Sequence, residues 1–180
     1  EAFFPEKGHY SGSERDSLNL RNAYDNAVRQ TDKFVSSVIR LLEGGDRPAS
    51  LLYISDHGED VYDDERERFL HSSPDVSYYQ LHVPLIIWSD KRWREAHPKL
   101  FAAGKANSGK PISSNSVFHT MLELAGVRTS YRRDDLSVVN AHFRGGQRFY
   151  LNDRYECVPI EDLELHEEDV RLFREKGLYL

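Results

Sequence analysis

The chain has 180 residues, of which 39% are hydrophobic and 30% charged, with a formal net charge of −6. That is an ordinary composition for a folded domain with a real core; it argues against disorder and gives no support for nucleic-acid binding through a basic surface. A single cysteine, Cys157, excludes an internal disulfide, no secretory signal is recognisable, and no apolar run approaches membrane-spanning length.

Residues 1–16 are polar, contain glycine and read as loop. A helix is predicted from Ser17 to Leu42, because Tyr24, Ala27, Val28, Thr31, Val35, Val38, Ile39 and Leu42 recur at helical spacing. Ser17 is a plausible N-cap, and Gly44-Gly45 a plausible stop. Beyond Pro48 comes the most informative stretch, Leu51-Leu52-Tyr53-Ile54-Ser55-Asp56-His57-Gly58-Glu59. Its four apolar residues read as a buried strand that ends abruptly in two strong metal ligands and a glycine able to turn the chain sharply. Open α/β sheets build their sites at the carboxyl ends of strands. An Asp–His pair suits zinc or a similar transition metal better than calcium or magnesium, which prefer oxygen shells.

Residues 59–79 are rich in charge and poor in apolar periodicity, so they read as a long loop bringing His71 back towards the strand end. The acidic cluster Asp60, Asp63, Asp64, Glu65 and Glu67 lacks the spacing and glycine of an EF-hand and reads as solvated. Val83 to Trp88 is a second buried strand, with Pro84 near its start. Trp93 to Phe101 suggests a short helix broken at Pro98. Asn115 to Ala125 is a helix stopped by Gly126, Gln147 to Leu151 a short strand, and Ile160 to Lys176 an amphipathic helix with Leu163, Val170 and Phe173 inward. This order of helices and strands points to an α/β fold with a mainly parallel sheet and flanking helices.

Ser-Asp-His-Gly-Glu, then Leu70-His71-Ser72-Ser73-Pro74, then Val83-Pro84-Leu85-Ile86-Ile87-Trp88 form an ordered set. Asn22 to Ala27 with Thr31-Asp32 precede it, and Ser114 to Thr120 and Ser137 to Asn140 follow. The set resembles the alkaline-phosphatase/sulfatase superfamily, and within it the phosphoethanolamine transferases of the bacterial envelope, over roughly residues 17 to 150. The resemblance implies an alkaline-phosphatase-like fold present in part, with residues 1–180 forming the C-terminal portion of a catalytic domain. It also implies transfer of phosphoethanolamine from a phospholipid donor to lipid A, lipopolysaccharide core or another envelope glycan. The parent would be a membrane-anchored inner-membrane protein with a periplasmic catalytic domain.

In that setting Asp56 and His57 are the expected metal ligands, with zinc or manganese as the metal. Calcium-dependent sulfatases generally place an Asn where His57 stands, so the His favours phospho-transfer. His71 is expected to contact the substrate phosphate or a second metal, and Glu59 to orient a ligand from behind. The family nucleophile, a Thr, lies well upstream of the Asp-His pair, and no segment of residues 1–50 matches it; His9 has the wrong flanks for the family's upstream phosphate-binding His. The chain, which begins at Glu1, therefore reads as part of a larger enzyme. Two other readings stand beside this one. One is a sulfatase or phosphodiesterase of the same fold; the other is an α/β binding module that uses the scaffold without chemistry. His82 and His119 read as structural, and His97, His142 and His166 carry no supporting pattern.

Overall fold

The structure is a computed structural model that describes residues 14–71, 76–152 and 154–178. The loop expected over residues 1–16, His9 included, lies mostly outside these, as do Ser72 to Pro74. The chain forms two compact units, one from residues 1–46 and 53–87, the other from 47–52 and 88–180.

The first unit opens with α1 (Glu14–Glu43). This helix is already in place ahead of Ser17, so Ser17 is an interior residue and not its cap. Its stop is where the glycines put it: the Gly44 N–H donates to Arg40 O at 3.1 Å and the Gly45 N–H to Leu42 O at 3.2 Å. The expected apolar stripe is only half-buried along Val35, Val38, Ile39 and Leu42, while Val28 is 53% exposed. Strand β1 (Ser50–Ile54) follows, half-buried at every position.

The segment expected to be one long loop carries structure of its own. Strand β2 (Asp60–Val61) pairs antiparallel with β3 (Phe69–Leu70), Asp60 opposite Leu70. Helix α1 packs on β2 and fastens it: Arg21 Nε donates to Val61 O at 3.0 Å, and the same guanidinium reaches Tyr62 O. A short helix α2 (Tyr78–Leu81) is capped by Ser77, whose hydroxyl accepts from the Gln80 N–H. The acidic cluster is not uniformly solvated. Asp60 is buried and accepts from the Ser77 hydroxyl at 2.9 Å and from Gln80 Nε2 at 2.5 Å, with Arg68 3.7 Å away. A buried carboxylate is tolerable only when its oxygens are paired in this way.

Strand β4 (Leu85–Ser89) begins just past Pro84 and pairs with β1. Asp90 N–H donates to Ala49 O at 3.0 Å, so the end of β4 lies beside the start of β1 and the two strands run in opposite senses. The α/β class with flanking helices stands; the parallel strands expected of the sheet are not among the described pairs.

In the second unit α3 (Lys91–Ala96) is capped by Asp90, whose Oδ1 accepts from Trp93 N–H at 2.7 Å. Pro98 does not merely break this helix; it opens α4 (Pro98–Asn107) at the position where proline's missing N–H costs nothing. Helix α5 (Asn115–Leu124), the antiparallel ribbon of β5 (Phe149–Leu151) with β6 (Cys157–Pro159), and α6 (Glu167–Glu175) complete it. The predicted last helix is split, because Ile160–Asp162 forms a separate 3₁₀ turn. The core gathers Trp93, Leu124, Leu136, Val138, Val139, Phe143, Ile160 and Phe173. The Ser137 to Asn140 segment is pinned by polar groups: the Thr120 hydroxyl accepts from Val138 N–H at 3.0 Å, and Asn107 Nδ2 donates to Val138 O and Asn140 O at 3.1 and 2.9 Å.

Candidate metal centre

The residues after β1 leave extended geometry at once. The Ser55 hydroxyl donates to His57 O at 2.8 Å, and the His57 N–H donates to Asp56 Oδ1 at 3.1 Å. That last bond is the chief reason the Asp56 carboxyl is held below the usual carboxylate range. Asp56 is largely exposed, and its other oxygen, Oδ2, lies 3.8 Å from His57 Nε2.

Gly58 follows for a reason other than conformational freedom, since its φ is not among the positive ones. A Cβ at this position would sit 2.0 Å from Tyr79 O and 3.1 Å from Tyr79 C. The Gly58 N–H donates to Gln80 O at 2.9 Å. The Ser-Asp-His-Gly-Glu segment is therefore seated directly against the backbone of α2.

His71 reaches the same place from the other side. The residue before it, Leu70, adopts φ 63°, a left-handed conformation that is a genuine outlier for a bulky side chain and clusters at functional sites when it occurs. The His57 and His71 rings lie with centroids 3.8 Å apart. Glu59 stands between their Nδ1 edges: its Oε1 is 2.8 Å from His71 Nδ1 and 3.8 Å from His57 Nδ1. Its second oxygen, Oε2, is buried without a hydrogen-bond partner among the described residues. Among the described residues, His57, Glu59 and His71 offer ligand atoms all within 4.8 Å of one another.

The His57 imidazole and the exposed Asp56 carboxylate are donors that suit a divalent transition metal, with Glu59 and His71 beside them. His57 and His71 are thus brought together, and Asp56 lies at the outer edge of the His57 ring. Glu59 is more central than sequence reasoning made it. Its place in Ser-Asp-His-Gly-Glu was the available signal, but nothing in the spacing tells that its carboxylate spans both rings.

His82 Nδ1 bonds the Tyr78 hydroxyl at 2.6 Å, His119 Nδ1 accepts from the Arg133 N–H at 3.1 Å, and His166 accepts from Glu168 N–H at the start of α6. Near the centre, burial first, then the charges of Glu59 and Asp63, raise the Tyr24 phenol above its ordinary value.

The profile of the Sulfatase family matches residues 2–127. Phosphoethanolamine transferase EptC of Escherichia coli O18:K1:H7 (strain RS218 / NMEC) is 30% identical over 142 residues, which are 78% of this chain and 24% of that protein. The crystal structure of the C-terminal periplasmic domain of EcEptC from Escherichia coli superposes with a TM-score of 0.73 at 25% identity, over 88% of this chain and 45% of that one. The C-terminal periplasmic domain of phosphoethanolamine transferase EptC from Campylobacter jejuni gives a TM-score of 0.66 at 32% identity, over 80% of this chain and 45% of that one. The chain spans about a quarter of the length of the curated relatives it matches. With the ordered motifs, the family profile and the superposed domains in agreement, the chain belongs to the sulfatase family.

Proposed function

We propose that this chain is the metal- and phosphate-binding part of an enzyme that transfers phosphoethanolamine from a phospholipid to lipid A, lipopolysaccharide core or another envelope glycan. The observation that carries the reading is the convergence of His57, His71 and Glu59 beyond β1, in a family member whose relatives are named phosphoethanolamine transferases. Asp56 Oδ2 and His57 Nε2, 3.8 Å apart on one side of the ring, are the atoms that would hold zinc or another divalent transition metal such as manganese. Such an ion, when bound, lowers the pKa of a hydroxyl nucleophile and offsets charge on the transferring phosphoryl group.

The chain's own residues do the positioning. His57 Nδ1 lies 3.0 Å from Gly58 O, which can only accept, so Nδ1 carries the proton and Nε2 is left as the ligating nitrogen. His71 holds a phosphoryl oxygen or assists the leaving group. The nucleophile in this reading is a Thr on a segment outside these residues. The enzyme as a whole would be a periplasmic domain on a bacterial inner-membrane anchor; among the described residues, no helix is long and apolar enough to cross a membrane.

The test is turnover of a chromogenic phosphoethanolamine ester, and transfer to a lipid A acceptor, by the full-length enzyme and by this chain alone, each with zinc supplied. The full-length enzyme should turn over and the isolated chain should not. Turnover by the chain alone would mean that the nucleophile lies within these residues. Cleavage of a sulfate ester in place of the phosphoethanolamine ester would favour the sulfatase reading.

A further inference from the structure

The carboxylate of Glu59 faces both histidines from the side opposite Asp56. The two nitrogens of the His57 ring divide the space around it: Nε2 looks towards Asp56 Oδ2 at 3.8 Å, and Nδ1 towards Gly58 O at 3.0 Å and Glu59 Oε1 at 3.8 Å. The side of the ring available to a metal shared with Asp56 is therefore not the side where Glu59 stands. His71 meets Glu59 through Nδ1 as well, at 2.8 Å, a full hydrogen bond. An ionised carboxylate only accepts, so this bond puts the His71 proton on Nδ1 and leaves Nε2 as a lone-pair nitrogen. Among the described residues Oε2 meets no donor, and Oε1 meets the ring N–H of His71 at hydrogen-bond distance. The backbone that carries Glu59 is rigidly seated, because its neighbour Gly58 is pressed against Tyr79 and Gln80.

We infer that Glu59 is a positioning residue: through the Oε1 to Nδ1 hydrogen bond it fixes the tautomer and ring orientation of His71, so that His71 presents Nε2 to the transferring phosphoryl group, and it is not itself a metal ligand. The inference rests on the function proposed above for what His71 touches, but not for the hydrogen bond itself. Groups that orient an active-site histidine in this way typically carry a 10–100-fold effect on activity when removed.

The test uses the full-length enzyme with Glu59→Ala, Glu59→Gln, His71→Ala and the double variant Glu59→Ala/His71→Ala, read three ways. Zinc content of each purified protein should be unchanged by Glu59→Ala. Turnover of the chromogenic phosphoethanolamine ester should fall about 10–100-fold in kcat with Glu59→Ala, with a smaller effect on KM. Glu59→Gln, whose amide oxygen still accepts from Nδ1–H, should recover most of that loss. In the His71→Ala background, Glu59→Ala should cost less than about threefold, because the group it orients is gone. In 15N-histidine-labelled enzyme, the ring-nitrogen shifts of His71 should report a protonated Nδ1 in the wild type and Glu59→Gln, and a mixture of tautomers in Glu59→Ala.

Loss of zinc in Glu59→Ala would make Glu59 a ligand and overturn the inference. So would a fully additive double variant, or a wild-type His71 protonated on Nε2, which decides the question even if Glu59→Ala fails to fold. An enzyme with no phosphoethanolamine turnover would overturn the proposed function while leaving the zinc and ring-shift measurements to judge Glu59.

Discussion

Gly58→Ala is the sharpest perturbation the structure offers. The added methyl would lie 2.0 Å from Tyr79 O, where a real Cβ essentially never comes within 3.0 Å, and its other close neighbours, Tyr79 C at 3.1 Å and Gln80 Cα at 3.4 Å, are also backbone. No side-chain rotation relieves such a contact, so the Ser-Asp-His-Gly-Glu segment and α2 must part by about 1 Å or more. Overpacking of this kind costs about 1–3 kcal/mol. The Gly58 N–H to Gln80 O bond, 2.9 Å long, is stretched in the same movement and adds about 1 kcal/mol. The total, about 2–4 kcal/mol, corresponds to a fall in Tm of about 5–15 °C for a protein of this size. A displacement of about 1 Å in the residues either side of Gly58 should also lower turnover by about 100-fold in the full-length enzyme. Thermal unfolding of Gly58→Ala against Gly109→Ala provides the control, since a Cβ at Gly109 meets nothing within 4 Å. Equal melting temperatures for the two variants, or undiminished turnover in Gly58→Ala, would refute the close-approach argument.

In the full-length enzyme Asp56→Ala and His57→Ala should each abolish turnover and lower zinc content, whereas His119→Ala, which gives up one exposed hydrogen bond to Arg133, should keep most of both. Asp60→Ala should lower stability by about 2–4 kcal/mol in chemical denaturation, because it leaves Ser77 and Gln80 without their shared acceptor and uncovers Arg68. Thr120→Val should cost about 1–3 kcal/mol by the same measurement, since the buried Val138 N–H loses its acceptor while the volume is kept. The side-chain hydrogen bonds of Arg66 hold the Asp64 carboxyl below its ordinary value. With the folded pKa below the unfolded one, the stability it contributes is present above about pH 4 and is lost as the pH falls through the folded value. Asp64→Asn should therefore flatten the acid side of a plot of melting temperature against pH, and an unchanged acid limb would refute the assignment.

Much of the scaffold was legible because it depends on local pattern. The Gly44-Gly45 stop, the strand ending at Ile54 and the helix from Asn115 follow from periodicity and breaker residues, and all three occur. The Asp-His pair was legible for the same reason, being contiguous in sequence. What escaped depends on contacts between segments. The β2–β3 ribbon is two residues wide, too short to leave a period, and it is held by Arg21 from a distant helix. Asp60 looks like any other member of an acidic run until Ser77 and Gln80 close over it. The half-buried stripe of α1 shows the converse: helical spacing identifies an apolar face but not how much of it is covered. The opposed senses of β1 and β4 were hidden because strand direction leaves no mark in a continuous apolar run.

The seating of Gly58 on α2 is also asymmetric. The atoms that forbid a side chain at Gly58 belong to the main chain of Tyr79 and Gln80, and every residue type carries those same atoms. Drift at position 79 can therefore exchange the phenol without loosening the contact, whereas position 58 has a single admissible occupant. Substitution patterns gathered across descendants of this chain should show one frozen column and no covarying mate, although the two positions touch. Here physical adjacency and evolutionary coupling come apart, and a contact map inferred from correlated replacements would miss the junction that seats the Ser-Asp-His-Gly-Glu turn.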